Sequence, residues 1–257
     1  MTTAIVTGGA HGLGEAICLE LAMRGVAVLV ADLDGAAAGH VAEACRTRGA
    51  DARPIEVDLA AEDGPRRMVE TAADALGSID ILVNNAGYGT VEPFLKMTAA
   101  AWDRTLALNV RAVALSVAAA GQHMKEHGRG GRIVNITSPA SRMALPDYLA
   151  YAASKAALDS ITRAAALALA PHGIAVNSVA PGMMDTALQQ RTETLMARIA
   201  GREDDLPAFI DERTRRIPLG RRTSPAEVAG LVAWLALDAS PYITAERLNA
   251  SGGLDRD

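Results

Sequence analysis

A tyrosine and a lysine four residues apart carry chemistry that can be derived from their spacing. Tyr151 and Lys155 fall in a helical segment, and residues i and i+4 share a helix face with Cβ atoms about 5–6 Å apart. A phenol has a pKa of about 10, so a tyrosine that acts as a base near neutrality needs roughly 4 kcal/mol of help. One ammonium about 4 Å away supplies about 4 kcal/mol at an effective dielectric constant near 20, but only about 1 kcal/mol in bulk water. The pair predicts acid/base chemistry in a partly dry site, although the same spacing also arises by chance on a solvated helix.

A serine precedes this pair at the end of an apolar run. Ser138 follows residues 132–136, which read as a strand. A hydroxyl at the carboxyl end of a strand is well placed to hydrogen-bond a substrate oxygen. Taken alone, the residue is equally compatible with a turn.

A glycine-rich run lies near the start of the chain, between a predicted strand and a predicted helix. Residues 7–14 read TGGAHGLG, which is the spacing T-G-x-x-x-G-x-G. Glycine permits a tight turn and a close approach of backbone to a pyrophosphate, and the helix N-terminus offers unpaired N–H groups and a positive dipole end. An ordinary turn is the alternative, but this position between strand and helix favours a nucleotide site.

An aspartate ends the second predicted strand. The carboxylate of Asp32 can accept hydrogen bonds from an adenosine ribose and repels a 2′-phosphate. Neither arginine nor lysine occupies Ala10, His11 or Leu33, where a basic group could offset that phosphate. The pattern favours NAD, with NADP the weaker candidate, and a capping or turn aspartate is the alternative.

Short apolar runs alternate with longer Ala- and Leu-rich segments, and these runs must position the residues above. Strands are predicted at 3–7, 26–32, 53–57, 79–83, 132–136, 174–179 and 247–250. Helices are predicted at 12–24, 36–48, 62–76, 99–108, 110–127, 148–170 and 226–236. Nearly continuous apolar strands are typical of a parallel sheet covered on both faces. We expect an α/β fold over residues 1–257, with a single Rossmann-type, doubly wound parallel sheet flanked by helices and a helical lid insertion near 183–222.

Composition argues against several classes of protein. The 257 residues include 25 Lys+Arg and 30 Asp+Glu, for a net charge of −5, which does not suit a protein that tracks nucleic-acid phosphates. Two cysteines, Cys18 and Cys45, cannot form a disulfide framework, and we expect both to be reduced and buried. The charge-free stretch 164–184 is interrupted by Pro171 and Gly173, so it does not read as a membrane span. With no secretory signal at its start, the chain is expected to be cytoplasmic.

Two further patterns have a chemical and a plain interpretation. His123 and His127 fit an H-x-x-E-H zinc motif, but no third ligand is apparent, and we predict a solvated helix end without metal. The arginine-rich stretch 213–222 could attract an anionic substrate or pair with acidic residues of the lid.

Taken together, these motifs resemble the short-chain dehydrogenase/reductase family, from Thr3 to Gly253. The resemblance rests on the run ending at Gly14, Asn84-Asn85-Ala86-Gly87, Asn109, Ser138, the Tyr151/Lys155 pair, Val176-Asn177, Pro181-Gly182 and Thr186. It implies a tetrad of Asn109, Ser138, Tyr151 and Lys155. In that tetrad Tyr151 is the general acid/base, Ser138 polarises the reacting oxygen, and Lys155 lowers the pKa of the tyrosine and holds the nicotinamide ribose. Asn109 would hold a water that relays protons.

The same resemblance implies a set of cofactor contacts. They are Gly8, His11, Gly12, Leu13, Gly14, Asp32, Leu33, Asp58, Leu59, Asn85, Ala86, Gly87, Tyr151, Lys155, Pro181, Gly182, Met184 and Thr186. Asn84 is expected to brace the sheet. Ala245 and Ser251 stand where the family commonly has Gly and Asp, which sets the C-terminal contacts apart from the family pattern.

The function implied is an NAD-dependent oxidoreductase that interconverts a secondary alcohol of polyol, diol or hydroxy-ketone type with its ketone, as in polyol- and acetoin-type members. A 3-oxoacyl-(acyl-carrier-protein) reductase and a catalytically silent dinucleotide sensor stay open as alternatives. Asp32 counts against the first and the intact tetrad against the second. Relatives of this size associate through the helices at 110–127 and 148–170, so a homotetramer or homodimer is expected.

Overall fold

The apolar runs form one sheet whose strands are all parallel in the computed structural model, which describes residues 1–255. The strands are β1 (Thr3–Thr7), β2 (Ala27–Asp32), β3 (Ala52–Glu56), β4 (Ile81–Asn84), β5 (Gly131–Ile136), β6 (Ile174–Pro181) and β7 (Arg247–Ala250). Their order is β3-β2-β1-β4-β5-β6-β7. The predicted Rossmann-type sheet is confirmed.

Helices cover both faces of this sheet. They are α1 (Gly12–Met23), α2 (Gly35–Arg46), α3 (Gly64–Leu76), α4 (Ala99–Leu106), α5 (Val113–His127), α6 (Leu149–Leu169), α7 (Ala187–Ile199), α8 (Leu206–Arg215) and α9 (Pro225–Leu237). Local sequence fixes several starts: the Asp34 side chain caps α2, and Ser224 forms a capping box with Glu227 at α9.

Alternate residues of each inner strand feed two separate cores. On β2, Val28 and Val30 pack with Ile17 of α1, while Leu29 between them faces the opposite core with Leu158 of α6. Because side chains alternate across a strand, a run that is apolar at every position can bury both faces. This explains why the sequence shows continuous rather than alternating hydrophobic runs.

The order in which the chain adds strands to the sheet reverses at β1 and β4, which are neighbours in the sheet. It moves outward from β1 through β2 to β3, then returns to place β4 on the other side of β1. The loops after β1 and β4 therefore diverge at the carboxyl edge, and such a crevice is where open α/β sheets bind ligands.

One connection differs from its prediction. Two separate helices were predicted at 99–108 and 110–127, whereas α4 and α5 are joined by a π-helical turn, Ala107–Ala112. The wider turn keeps the backbone helical, so no turn residue marks it in the sequence. It carries Asn109, and such turns often occur at functional sites.

The expected lid is helical. After β6 the chain forms α7 and α8, with a short turn at Glu203–Asp205 between them. Cys18 and Cys45 are both free and buried, as predicted. Over residues 1–255, no helix combines the length and the apolar character needed to cross a membrane.

Candidate active site

The glycine-rich loop begins where β1 ends, and its glycines are required for two different reasons. A Cβ on Gly14 would lie 1.9 Å from the Gly8 carbonyl oxygen, so only glycine allows this close approach. Gly12 adopts a left-handed φ of +55°, and a Cβ there would meet only the Thr186 side chain, at 3.5 Å and beyond. Glycine therefore leaves the backbone without a Cβ at two positions where α1 begins.

The start of α1 is suited to an anion. Among the described residues, no side chain caps its first amides, because the N-cap residue His11 makes no such hydrogen bond. These N–H groups and the helix dipole form the kind of site that holds a phosphate. The loop therefore fits the pyrophosphate of a dinucleotide.

A cavity of about 460 Å³ opens beside this loop. Fifteen of the predicted site residues line it: Gly8, His11, Gly12, Leu13, Gly14, Asn85, Ala86, Gly87, Ser138, Tyr151, Lys155, Pro181, Gly182, Met184 and Thr186. They come from the loops after β1, β4, β5 and β6 and from α6. The topology thus brings distant sequence motifs to one place.

Five predicted site residues lie outside the lining of that cavity within the described chain: Asp32, Leu33, Asp58, Leu59 and Asn109. Asp32 Oδ2 accepts a hydrogen bond from Ala10 N at 3.0 Å, which ties it to the glycine-rich loop. Asp58 is exposed and Oδ1 accepts from the Ala60 amide at 2.8 Å, whereas the Leu59 side chain is buried in the core. A contact from Leu59 to a cofactor would have to use its backbone.

Lys155 is a buried ammonium held by the end of β5. Its side chain is on a residue only 4% exposed, and Nζ donates to the Ile136 carbonyl oxygen at 2.8 Å. Burial lowers its pKa to about 8, and the nearby Asp159 carboxylate acts in the opposite direction. The lysine therefore titrates much closer to neutrality than an exposed one.

Tyr151 does not show the lowered pKa that the sequence predicts. Burial raises the pKa of its phenol, and a hydrogen bond with the Ser138 side chain acts in the opposite direction. In the chain by itself, removing the phenolate from water costs more than its surroundings return, since the lysine ammonium lies 5.5 Å from the ring centre and bonds to a carbonyl. That Lys155, together with a bound nicotinamide, lowers this pKa stays a prediction.

Asn109 organises backbone rather than lining the cavity. Its Oδ1 accepts from Tyr88 N at 2.8 Å, and its Nδ2 donates to Tyr88 O at 2.8 Å and to Ser154 Oγ at 2.9 Å. Ser154 in turn donates to the Tyr151 carbonyl oxygen at 2.7 Å. A Cβ on Gly87 would lie 3.6 Å from both Asn109 Oδ1 and Lys155 Nζ, which places the two polar atoms around the same point.

A second tyrosine, which is not among the predicted site residues, supports the first. The ring of Tyr148 stacks on that of Tyr151, with centroids 4.4 Å apart and planes 15° from parallel. It is buried, and burial raises its pKa, whereas the Thr192 side chain of α7 acts in the opposite direction. Its i, i+3 spacing from Tyr151 was the available signal.

A buried glutamate also escaped the sequence analysis. Glu193 of α7 is fully buried and accepts from Arg222 at 2.7 Å and from Arg213 of α8 at 3.2 Å. The lid acids Glu203, Asp205 and Glu212 pair with Arg198 and Arg202, and not with the arginine-rich stretch 213–222 as expected. Arg213, which lines the cavity, and Arg222, which does not, share the Glu193 carboxylate.

Arg247 of β7 contacts the backbone of Ser138. Its Nη2 donates to the Ser138 carbonyl oxygen at 3.0 Å, and it pairs with the buried carboxylates of Asp159 and Asp255. The C-terminal strand therefore supports the serine even though Ala245 and Ser251 depart from the family pattern.

Two predictions outside the cavity concern polar side chains. Asn84 is buried and donates to Asn135 Oδ1 at 2.9 Å across two adjacent strands, which confirms that it braces the sheet. The rings of His123 and His127 stack with centroids 4.0 Å apart at the end of α5. Among residues 1–255, no group of three or more His, Cys, Asp or Glu side chains is placed to hold a metal ion.

Comparison with known proteins gives consistent matches over nearly the full chain. A family model described as enoyl-(acyl carrier protein) reductase matches residues 8–255. An L-2,3-butanediol dehydrogenase of Corynebacterium glutamicum is 34% identical, over 98% of this chain and 97% of that protein. A cis-4-hydroxycyclohexanecarboxylate dehydrogenase of Sinomonas cyclohexanicum is 37% identical, over 97% of this chain and 95% of that protein. The crystal structure of an NAD⁺-bound xylitol dehydrogenase is 31% identical, with a TM-score of 0.93 over 98% of each chain.

Proposed function

Because this chain belongs to the short-chain dehydrogenase/reductase family and is thereby an oxidoreductase of CH–OH groups, we propose that it interconverts a secondary alcohol and its ketone with NAD(H). The alcohol is of polyol, diol or hydroxy-ketone type. One observation carries the proposal: Ser138, Tyr151 and Lys155 line the same cavity as the bare N-terminus of α1. An acid/base group and a dinucleotide cradle then face one space.

The proton chemistry follows from the surroundings of the phenol. In oxidation Tyr151 accepts the hydroxyl proton of the alcohol while Ser138 hydrogen-bonds the same oxygen. In reduction Tyr151 returns a proton to the forming alkoxide. Bound NAD⁺ supplies the hydride acceptor and adds a positive ring charge that favours the phenolate.

Lys155 is the ammonium that can pass on the proton which Tyr151 takes from the alcohol. With a pKa of about 8, it is mostly protonated at neutral pH and can still release a proton. Its ammonium donates to the Ile136 carbonyl oxygen, and a Cβ on Gly87 would lie 3.6 Å from both this Nζ and Asn109 Oδ1. This arrangement suits a group that holds the nicotinamide ribose and passes protons onward.

The preference for NAD rests on the carboxylate beside the glycine-rich loop. Asp32 is fixed by hydrogen bonds from Ala10 N and Asp34 N, each 3.0 Å long. A fixed negative charge at this strand end accepts ribose hydroxyls and repels a 2′-phosphate. His11 of the glycine-rich loop lies 3.7 Å from the Asp34 carboxylate.

The test is a substrate screen that follows the absorbance of reduced nicotinamide with NAD and with NADP. Diols, polyols and hydroxy acids form the panel because the names of the relatives span these groups, and hydroxy-ketones are added because the proposed function includes them. We expect turnover of a secondary alcohol with higher kcat/KM for NAD. Tight NAD binding without turnover of any alcohol would favour a dinucleotide sensor, and activity confined to 3-oxoacyl thioesters would favour the reductase.

We also propose that the chain self-associates through α5 and α6. Both helices expose large apolar side chains, with Leu115 43% and Leu167 75% accessible. Burial of such side chains in a dimer or tetramer is favourable. Light scattering coupled to size exclusion tests this, and a monomer at micromolar concentration would argue against it.

A further inference from the structure

The charged side chains that line the cavity are all basic. Lys155, Arg213 and Arg216 line it, and among the described residues no aspartate or glutamate does. Such a lining favours an anionic ligand, because any negative group entering the cavity meets only positive charge. The dinucleotide accounts for the end near the glycine-rich loop, but the arginines lie elsewhere.

The arginines belong to the substrate side of Tyr151. The ring of Tyr148 stacks on Tyr151, and Tyr148, Thr192 and Arg213 line the same cavity. Arg213 pairs with Glu193, the residue that follows Thr192 on α7. Thr186, whose side chain lies beside Gly12 of the glycine-rich loop, is the N-cap residue of α7, the helix that carries Thr192. Thr192 is six residues further along, or about 9 Å at 1.5 Å per residue. The arginine end is thus well separated from the pyrophosphate cradle.

Of the arginines around the cavity, Arg213 and Arg222 have carboxylate partners, whereas Arg216 has none among the described residues. Glu193 is shared by Arg213 and Arg222, and Asp185 gives Arg222 a second partner. These contacts hold Arg213 in place and compensate it in part. Arg216 is exposed at the cavity, and no carboxylate of the described residues lies within 4.0 Å of it.

The remaining wall beyond the tyrosines is largely apolar. Its side chains include Met143, Leu145, Met183, Leu188, Met196 and Leu254. Such a wall accommodates a hydrocarbon body between polar groups.

We propose that the alcohol this enzyme oxidises also carries a carboxylate, which Arg216 binds at the lid end of the cavity while the carbinol faces Tyr151. This rests on the proposed function and narrows its substrate to a hydroxy acid with a partly apolar body. Arg213, held by Glu193, adds positive field without being the primary contact. Arginine is suited to the task because its planar fork can bind a carboxylate through two parallel hydrogen bonds.

Matched substrate pairs test the proposal. Hydroxy acids such as 3-hydroxybutanoate, 4-hydroxypentanoate and 4-hydroxycyclohexanecarboxylate are compared with their primary amides, which keep the carbinol and the size but remove the charge. For at least one pair, we expect kcat/KM of the acid to exceed that of the amide by about 10-fold or more, the usual effect of a charged hydrogen bond.

The matched variants are Arg216→Gln and Arg215→Gln. Both residues are exposed, so both variants should fold, and Arg215 does not line the cavity. In Arg216→Gln, kcat/KM for the acid should fall about 10- to 100-fold, while values for the amide and KM for NAD stay within about twofold. Arg215→Gln should leave all three unchanged.

Each outcome decides a different claim. If the wild type oxidises neutral alcohols but no hydroxy acid, or if Arg216→Gln affects acid and amide alike, the carboxylate proposal is wrong and the oxidoreductase stands. A raised KM for NAD with both substrates would assign Arg216 to the cofactor and overturn the proposal as well. If neither acids nor neutral alcohols are oxidised, the proposed function fails with it.

Discussion

Replacing Lys155 by methionine should remove a pH dependence of folding that the structure assigns to one side chain. The lysine is almost fully buried, and burial lowers its pKa from 10.5 to about 8. Because the folded pKa lies below the unfolded one, the unfolded chain binds more protons between these values. The free energy of unfolding therefore rises with pH across this window.

The size of the effect follows from the two pKa values. Below about pH 8 the folded protein bears the full penalty of a buried ammonium, and above about pH 10.5 the penalty is gone. A difference of about 2.5 in pKa corresponds to about 3 kcal/mol at 1.36 kcal/mol for each pH unit. Relative to Lys155→Met, the wild type should gain about 2–3 kcal/mol between pH 7.5 and pH 10.

Urea unfolding of both proteins at several pH values measures this difference. Other groups that titrate in the window are common to the two chains, so they cancel in the comparison. Lys125→Met, at an exposed position of α5, is the matched control and should run parallel to the wild type. A wild-type curve that stays parallel to Lys155→Met would refute the reasoning, because the lysine would then keep its ordinary pKa.

Two further substitutions probe the lid and the loop. Glu193→Gln leaves two guanidinium groups facing a neutral amide and should destabilise the fold by about 3 kcal/mol in urea unfolding, whereas Glu212→Gln, at the surface, should change little. Equal stability of the two variants would contradict a structural role for the buried carboxylate. Gly14→Ala puts a methyl group 1.9 Å from the Gly8 oxygen and should weaken NAD binding more than 10-fold by calorimetry. Gly39→Ala is the control: its methyl group, in helix α2, meets no atom within 4 Å, and it should add about 1 kcal/mol to the free energy of unfolding. Unaltered NAD affinity in Gly14→Ala would show that the glycine-rich loop does not bind the pyrophosphate.

The fold was predictable because each of its determinants is local. Continuous apolar runs such as that of β2 predict buried parallel strands. The glycines at the start of α1 indicate a turn whose backbone approaches other backbone closely. Helix ends varied by a few residues, and the π-helical turn at Ala107–Ala112 was missed because it leaves no break in the helical sequence pattern.

The predicted site was less complete because its remaining determinants are long-range. Glu193 reads as one more acid on an exposed lid, and only the fold shows it buried between two arginines. The pKa of Tyr151 depends on how deeply the phenol is buried, which spacing to Lys155 does not reveal. Arg247 reaches Ser138 from a strand more than a hundred residues away along the chain.

The most direct measurement is the turnover and cofactor affinity of Tyr151→Phe. The substitution removes only the phenol oxygen and keeps the ring that stacks on Tyr148. With an alcohol that the wild type oxidises, we predict that NADH binding stays within about twofold while kcat falls by 10²–10⁴, the usual contribution of a general acid/base. Turnover close to that of the wild type would contradict the claim that this phenol moves the proton.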